Sequence, residues 1–494
     1  MSTGPADDLM RHFAGDSVAY GTTTILSRAT LVVALLVLPF LLTPRDYGAL
    51  SMIVTVAALV AIAAPLEISQ ALARYYASAP PVEKKAYAST AWTFLLLVLA
   101  GFLVVGQALA QPLCLLIMGD LAYVPVFRIA LLLMALNCLF YFLQNQCRWE
   151  FRTAEFVLIS LVFAFLTLAL SLGLGMVVDP PLLGVVVGQA LGAAVAVGLG
   201  AFGLKRSFAF RIDSSKLRQL LAFSLPIVPA SLALYLSVYA SRFILNGLSS
   251  LEDVGLYTLA VQIGGIATLG IVGIQAALTP LVMKHHQKPQ TPGQLALLFE
   301  VTVGFAVVAC LALGLFAPEL IHYAGNPAYA QAGPLVLLLA PAMFIAQLYV
   351  FAPGFAVAKR TLWQMWVSIA SALVGILANF LLIPWWGITG AAVATLVASL
   401  VFLSLWFVLS QRLYPIPVRW APVAVACVGG ALLGAVGHGF SYESVISALL
   451  TKAVILAVAA TLVSMIGLVP LRDSLAAIRA LALPRDTRST SRRG

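Results

Sequence analysis

Apolar residues in this chain fall in long unbroken runs: Leu31 to Leu42 and Leu95 to Val105 present no polar face at all. A strand of an outer-membrane barrel alternates apolar and polar positions, so these runs read as helices, and about 20 apolar residues cross a bilayer core. Proline, glycine and charged interruptions divide the chain into spans at 17–42, 47–66, 87–110, 125–146, 155–176, 182–204, 221–247, 254–281, 295–317, 333–356, 361–383, 387–410, 420–437 and 448–469. The pattern predicts an all-α polytopic membrane protein of about fourteen transmembrane helices.

Composition agrees. Of 494 residues, 62% are hydrophobic and 9% charged, against roughly a quarter charged in a soluble domain, and mean hydropathy is +1.03. A soluble globule is excluded and little chain is left for a separate soluble domain. The first apolar run starts near Ser17 and lacks a small-residue cleavage pattern, so it reads as a span rather than a signal peptide. Cys114, Cys138, Cys147, Cys310 and Cys427 have no metal or redox spacing and lie in or beside apolar runs, where a thiol is a small hydrophobe. No cofactor or metal is implied.

Charge sets the orientation. Of the 28 Lys and Arg, 23 fall in the two tails and in the loops after the even-numbered spans. By the positive-inside rule both termini are cytoplasmic. The net charge of +10 then reflects contact with anionic inner-leaflet lipid rather than nucleic acid. The outer loops are short, and their acids (Asp46, Asp120, Asp179, Glu252, Asp253, Glu319, Glu443) are scattered. A membrane glycosyltransferase, polymerase or ligase needs convergent acids, bases or metal ligands in a loop lobe, so the chain does not read as an enzyme. His285 and His286 read as an exposed loop pair.

The chain also matches itself. Pro44-Arg45-Asp46-Tyr47-Gly48 aligns with Leu251-Glu252-Asp253-Val254-Gly255 at an offset of 207, and Gly119 to Tyr123 aligns with Gly325 to Tyr329 at 206. Gly184 and Gln189 align with Gly390 and Thr395, also at 206. Two six-helix bundles are thus related by a parallel internal repeat, with two C-terminal helices added. The expected organisation is a cytoplasmic N-tail (1–16), an N-terminal six-helix half (17–204), a basic linker (205–220), a C-terminal half (221–411), two additional helices (412–470) and a basic tail (471–494). Parallel halves facing each other suit a transporter that rocks about a midplane site.

Polar residues inside spans mark candidate site positions. Arg28 is the twelfth residue of its span, about 18 Å deep, so it needs a wet cavity or a counter-charge; a structural ion pair is the alternative. Span 7 carries Ser231, Tyr235, Tyr239, Arg242 and Asn246 at spacings that share one helical face. Arg242 lies about five residues from the outer end, where snorkelling is the competing reading. Asn137, Tyr141, Gln144, Asn145 and Arg148 form a similar face on span 4, or polar contacts between helices. Glu67, Gln70 and Arg74 follow span 2, with Glu67 a candidate coupling carboxylate or the partner of Arg74. Trp363, Trp366, Trp385 and Trp386 flank span 11, as an interfacial belt or as sugar platforms.

Thr43 to Gly48, Glu67 to Tyr76, Leu225-Pro226, Ser241 to Ile244, Glu252 to Tyr257 and Asn379 through Pro384 to Ala392 together resemble the multidrug/oligosaccharidyl-lipid/polysaccharide exporter superfamily. In particular the chain resembles its bacterial polysaccharide-transporter branch of Wzx-type flippases, over essentially the whole chain. The resemblance implies two bundles around a V-shaped cationic cavity in a bacterial inner membrane. It also implies movement of an undecaprenyl-pyrophosphate-linked oligosaccharide to the periplasmic leaflet, coupled to an ion gradient, with a polysaccharide polymerase and a chain-length regulator as candidate partners. Arg28 and Arg242 would then attract pyrophosphate, and the tyrosine and amide faces would pass the glycan. The multidrug branch uses membrane carboxylates to bind cations, whereas span 1 carries Arg28 and no acid. A lipid II flippase is a further alternative, and a non-transporting scaffold would leave Arg28 unexplained.

Overall fold

The computed structural model describes residues 37–324, 326–439 and 445–468, together with 21–23, 26–27, 30 and 33–34. Arg28, the tail after 468 and twelve of the 26 residues of the first predicted span (17–42) lie outside the described residues.

The described chain is helical from end to end. The helices are α1 (Pro44–Ala63), α2 (Ile68–Ser78), α3 (Pro81–Ala108), α4 (Ala110–Met118), α5 (Val124–Trp149), α6 (Thr153–Val177), α7 (Pro181–Gly203), α8 (Ser214–Ser224) and α9 (Val228–Leu248). They continue with α10 (Leu251–Gly265), α11 (Leu269–His285), α12 (Thr291–Ala324), α13 (Ala332–Ile345), α14 (Gly354–Val357), α15 (Thr361–Gln411), α16 (Trp420–Gly439) and α17 (Val445–Met465). Among the described residues twelve helices are long and apolar enough to cross a membrane, the longest being Leu362–Gln411. That longest helix is two arms of a hairpin: Gly387 (φ 53°, ψ −131°) breaks it, and Gly375 on one arm packs on Ala398 of the other. The expected all-α polytopic architecture is the one found.

Local chemistry explains the boundaries. Thr43 caps α1 by accepting from the Asp46 amide, with Pro44 at the first helical position and Asp46 in the first turn. Pro226 ends the helical run before α9, so the span expected at 221–247 begins at Val228 and residues 214–224 form a separate polar helix capped by Asp213. The span expected at 254–281 is interrupted by a 3-10 turn at Ile266–Thr268. An apolar loop expected after span 3 instead folds as α4.

Two compact units result: Met1–Gln262, Glu319–Ala332 and Ser368–Ala398 form the first, and Ile263–Pro318, Gly333–Val367 and Ser399–Gly494 the second. The first has a large core at the basic end of its helices, with Ile68, Leu72, Trp92, Phe142, Leu143, Phe156, Leu204 and Leu220 packed together. There α8 and its preceding loop lie on α3. Tyr87 donates to Gln219 at 2.5 Å, Lys216 pairs with Glu83 at 3.0 Å, and Phe208 stacks on Trp92. In the second unit Leu311 and Leu315 of α12 pack on Ile455 and Ala459 of α17.

The internal repeat is visible in atomic detail. Asp120 and Asn326 each cap a three-residue 3-10 turn ending in a tyrosine, Tyr123 and Tyr329. A side chain at Gly48 would fall on the Leu251 carbonyl, and one at Gly255 on the Pro44 carbonyl. This reciprocity is that of a two-fold contact. One turn further, Ser51 and Thr258, also equivalent by the 207 offset, share a hydrogen bond of 2.6 Å. A fourth equivalence escapes the sequence comparison: Phe151-Arg152-Thr153 and Lys359-Arg360-Thr361, where Phe151 and Lys359 both have φ 56°.

Candidate functional site

The stripe on α9 becomes a ladder. Tyr235 is buried and its hydroxyl donates to the Thr55 carbonyl of α1 at 3.1 Å. Tyr239 stacks on Tyr235 with ring centroids 5.1 Å apart, and Arg242 lies over Tyr239 at 5.0 Å. Residues three and four apart on a helix are neighbours, which is why the sequence spacing produces this stack. Among the described residues no carboxylate pairs with Arg242. Asn246, one turn further on, donates to the Ile117 carbonyl of α4 at 2.8 Å.

A second helix completes this corner. Asn379, 2% exposed, donates to Ser241 at 3.1 Å and to the Gly375 carbonyl at 2.7 Å, while its side-chain oxygen is buried without a hydrogen-bond partner. Nearby in the same unit Tyr257 meets Thr395 at 2.8 Å; Thr395 donates to the Ala391 carbonyl, so the tyrosine is the donor to Thr395. A guanidinium offers a planar fork of donors suited to phosphate oxygens, and stacked rings at its side add an aromatic wall.

The face on α5 is not brought to that ladder by any direct bond. Gln144 donates to Ser160 of α6 at 2.8 Å, Asn145 is buried, Tyr141 is 56% exposed, and the Asn137 side-chain oxygen is buried without a partner. Arg148 lies over Phe156 at 4.7 Å. After α1, Glu67 sits at the N-cap of α2 in a left-handed conformation (φ 54°), while Gln70 and Arg74 are exposed. Arg74 lies over Phe223 at 5.1 Å, and among the described residues it forms no ion pair with Glu67.

Three groups were missed from sequence. Glu150 gathers Gln146 (2.7 Å), Ser207 (2.7 Å) and Tyr76 (3.3 Å) at the basic end of the first unit. Burial, with the adjacent Glu150 charge, pushes Tyr76 up to about 12, so it stays protonated and keeps donating. Arg152 joins this cluster, pairing with Glu155 at 2.5 Å and donating to the Gly203 carbonyl. In the second unit Glu300, 2% exposed, accepts from the Arg419 backbone amide at 2.8 Å and from its guanidinium at 2.5 and 2.8 Å. The Ser51–Thr258 pair is the third. Each depended on a partner far away in sequence.

The helical scaffold is shared with known transporters. A lipid II flippase, MurJ, in an inward closed conformation superposes with a TM-score of 0.69 at 11% identity, over 93% of this chain and 99% of that one. An inward-facing multidrug resistance MATE family transporter of the MOP superfamily gives 0.64 at 14% identity, over 78% and 93%. An outward-facing member of the same family gives 0.53 at 16%, over 80% and 94%. No curated protein matches the sequence. These likenesses are of fold, that of a multi-pass helical membrane protein. Residues 15–286 match the family described as polysaccharide biosynthesis protein, so the chain belongs to that family and, with it, to the multidrug/oligosaccharidyl-lipid/polysaccharide exporter superfamily.

Proposed function

We propose that this protein flips an undecaprenyl-pyrophosphate-linked oligosaccharide from the cytoplasmic to the periplasmic leaflet of a bacterial inner membrane. The product would feed O-antigen, capsule or exopolysaccharide assembly. The observation that carries the reading is Arg242, a cation inside an apolar helix with no carboxylate partner among the described residues, standing at the end of the Tyr235–Tyr239 stack. A membrane arginine without a counter-charge is costly unless a wet path or an anionic ligand accompanies it. Membership of a polysaccharide biosynthesis family supports a glycan-bearing substrate.

The division of labour follows from solvation. Pyrophosphate and sugar cannot cross hydrocarbon unaided, whereas the polyprenyl tail is at home in lipid. Arg242, together with Arg28, would draw in the pyrophosphate; Tyr239 would face the glycan, with the buried Tyr235 bracing Tyr239 from behind; Asn137, Tyr141, Gln144, Asn145 and Asn246 would line or brace the path. Glu67, with Gln70 and Arg74, would serve ion coupling. No covalent chemistry is required, and alternating access supplies the movement.

The test is translocation of a fluorescent lipid-linked oligosaccharide in proteoliposomes, scored by an impermeant quencher under an imposed pH gradient. Native protein should flip it, Arg242→Ala should lose at least about tenfold in rate, the scale of one charged contact, and Arg242→Lys should keep part. Full activity of well-folded Arg242→Ala removes Arg242 from the path. Preferential flipping of lipid II, or gradient-driven efflux of a cationic dye without flipping, reassigns the substrate.

A further inference from the structure

The turn between α14 and α15 has the same backbone as the turn between α5 and α6. Phe151 and Lys359 are both left-handed, and the amide after each reaches back, Arg152 to the Cys147 carbonyl and Arg360 to the Phe355 carbonyl, both at 2.9 Å. This is the helix-ending pattern that usually employs glycine. The charges around the two turns differ. In the first, Arg152 is held by Glu155 and lies 3.9 Å from Glu150. In the second, the positions of those acids, at the 208 offset, are Ala358 and Trp363.

Lys359 and Arg360 are exposed and form no ion pair among the described residues. Between Lys284 and Trp420 the acids are Glu300, taken by Arg419, and Glu319 toward the opposite end of α12. Lys284 in the last turn of α11, Lys288 after it and Arg412 at the end of α15 are exposed cations as well. The surface is fixed in place. Tyr414 donates to the His286 carbonyl at 3.1 Å, Ser410 accepts from the Gly354 amide and donates to the Ala352 carbonyl, and Phe299 packs against Phe351, Phe407 and Trp420.

Immediately after the two cations α15 exposes Leu362 (68%), Trp363 (45%) and Trp366 (60%). Cations set beside exposed tryptophans at the start of an apolar helix match a lipid headgroup layer: the rings sit at the interface and the cations meet phosphate. A soluble acidic partner would leave the apolar side chains without a role. We propose that Lys359 and Arg360, framed by Trp363 and Trp366, bind the phosphate headgroup of an anionic phospholipid, a site that the equivalent turn of the first half lacks because its arginine is neutralised within the protein.

The experiment titrates phosphatidylglycerol into full-length protein held in zwitterionic detergent and counts retained lipids by native mass spectrometry. The double variant Lys359→Gln/Arg360→Gln should bind about 30-fold more weakly, each surface cation contributing roughly fivefold. Ala358→Glu, which places in the second turn the acid that the first turn has, should weaken binding with both cations intact. Both substitutions are on the exposed turn, so thermal unfolding without lipid should match native protein. The proposal is overturned if the double variant retains phosphatidylglycerol as native protein does, if phosphatidylcholine is retained equally, or if soluble pyrophosphate stabilises native protein as much as the lipid does.

Discussion

At the far ends of α1 and α10 the two repeats use the same atoms in the same way. Gly48 lies against Leu251, Gly255 against Pro44, and Ser51 bonds Thr258. At the basic ends, the turns at Phe151 and Lys359 keep one backbone but not one chemistry, since the first is closed by Glu150 and Glu155 and the second is open and cationic. Where the repeats touch each other, a change in one must fit the other, so shape is held in common. Where each turn faces its own surroundings, backbone is kept and charge is free to diverge.

The sharpest way to break the symmetric contact is Gly255→Leu. Its side chain would meet the Pro44 carbonyl, a backbone atom that cannot swing aside. About 3 kcal/mol of destabilisation is expected, the upper end for overpacking, read as a lowered thermal midpoint; an unchanged midpoint would mean that α1 and α10 are not in contact there. Glu300→Ala is the next largest. It removes the acceptor of the Arg419 backbone amide and guanidinium, but Arg419 is half-exposed and water replaces part of the loss, so about 2 kcal/mol is expected. Glu300→Gln should recover some of it by keeping the acceptor for the backbone amide.

Much of the fold was legible because apolar runs of spanning length need no tertiary information. The repeat was readable at Pro44 to Gly48 and Leu251 to Gly255, where glycine is demanded at the contact itself. It is weak at Arg152-Thr153 and Arg360-Thr361, where only a dipeptide matches and the left-handed residue before it is phenylalanine in one turn and lysine in the other. The peripheral helices α2, α4 and α8 were missed or merged with spans, since hydropathy alone does not separate a polar helix from a loop or an apolar one from a span end.

The site was partly legible for a similar reason. Spacing along one helix forecast that Tyr235, Tyr239 and Arg242 would share a face, and they stack. Spacing could not tell that Asn246 bonds to Ile117, because that bond depends on α4. Glu150 and Glu300 drew no attention as single acids near helix ends; their importance lies in donors more than 50 residues away, Ser207 and Arg419.

The proposed flipping by alternating access would part the two repeats where they touch, at the α1–α10 contact. Cysteines at Ser51 and Thr258, whose hydroxyls now meet at 2.6 Å, would be close enough to bridge. In proteoliposomes, oxidation of the Ser51→Cys/Thr258→Cys protein should stop translocation of the fluorescent lipid-linked oligosaccharide, and reductant should restore it, while each single variant stays active under oxidation. Undiminished translocation by fully cross-linked protein would contradict the account.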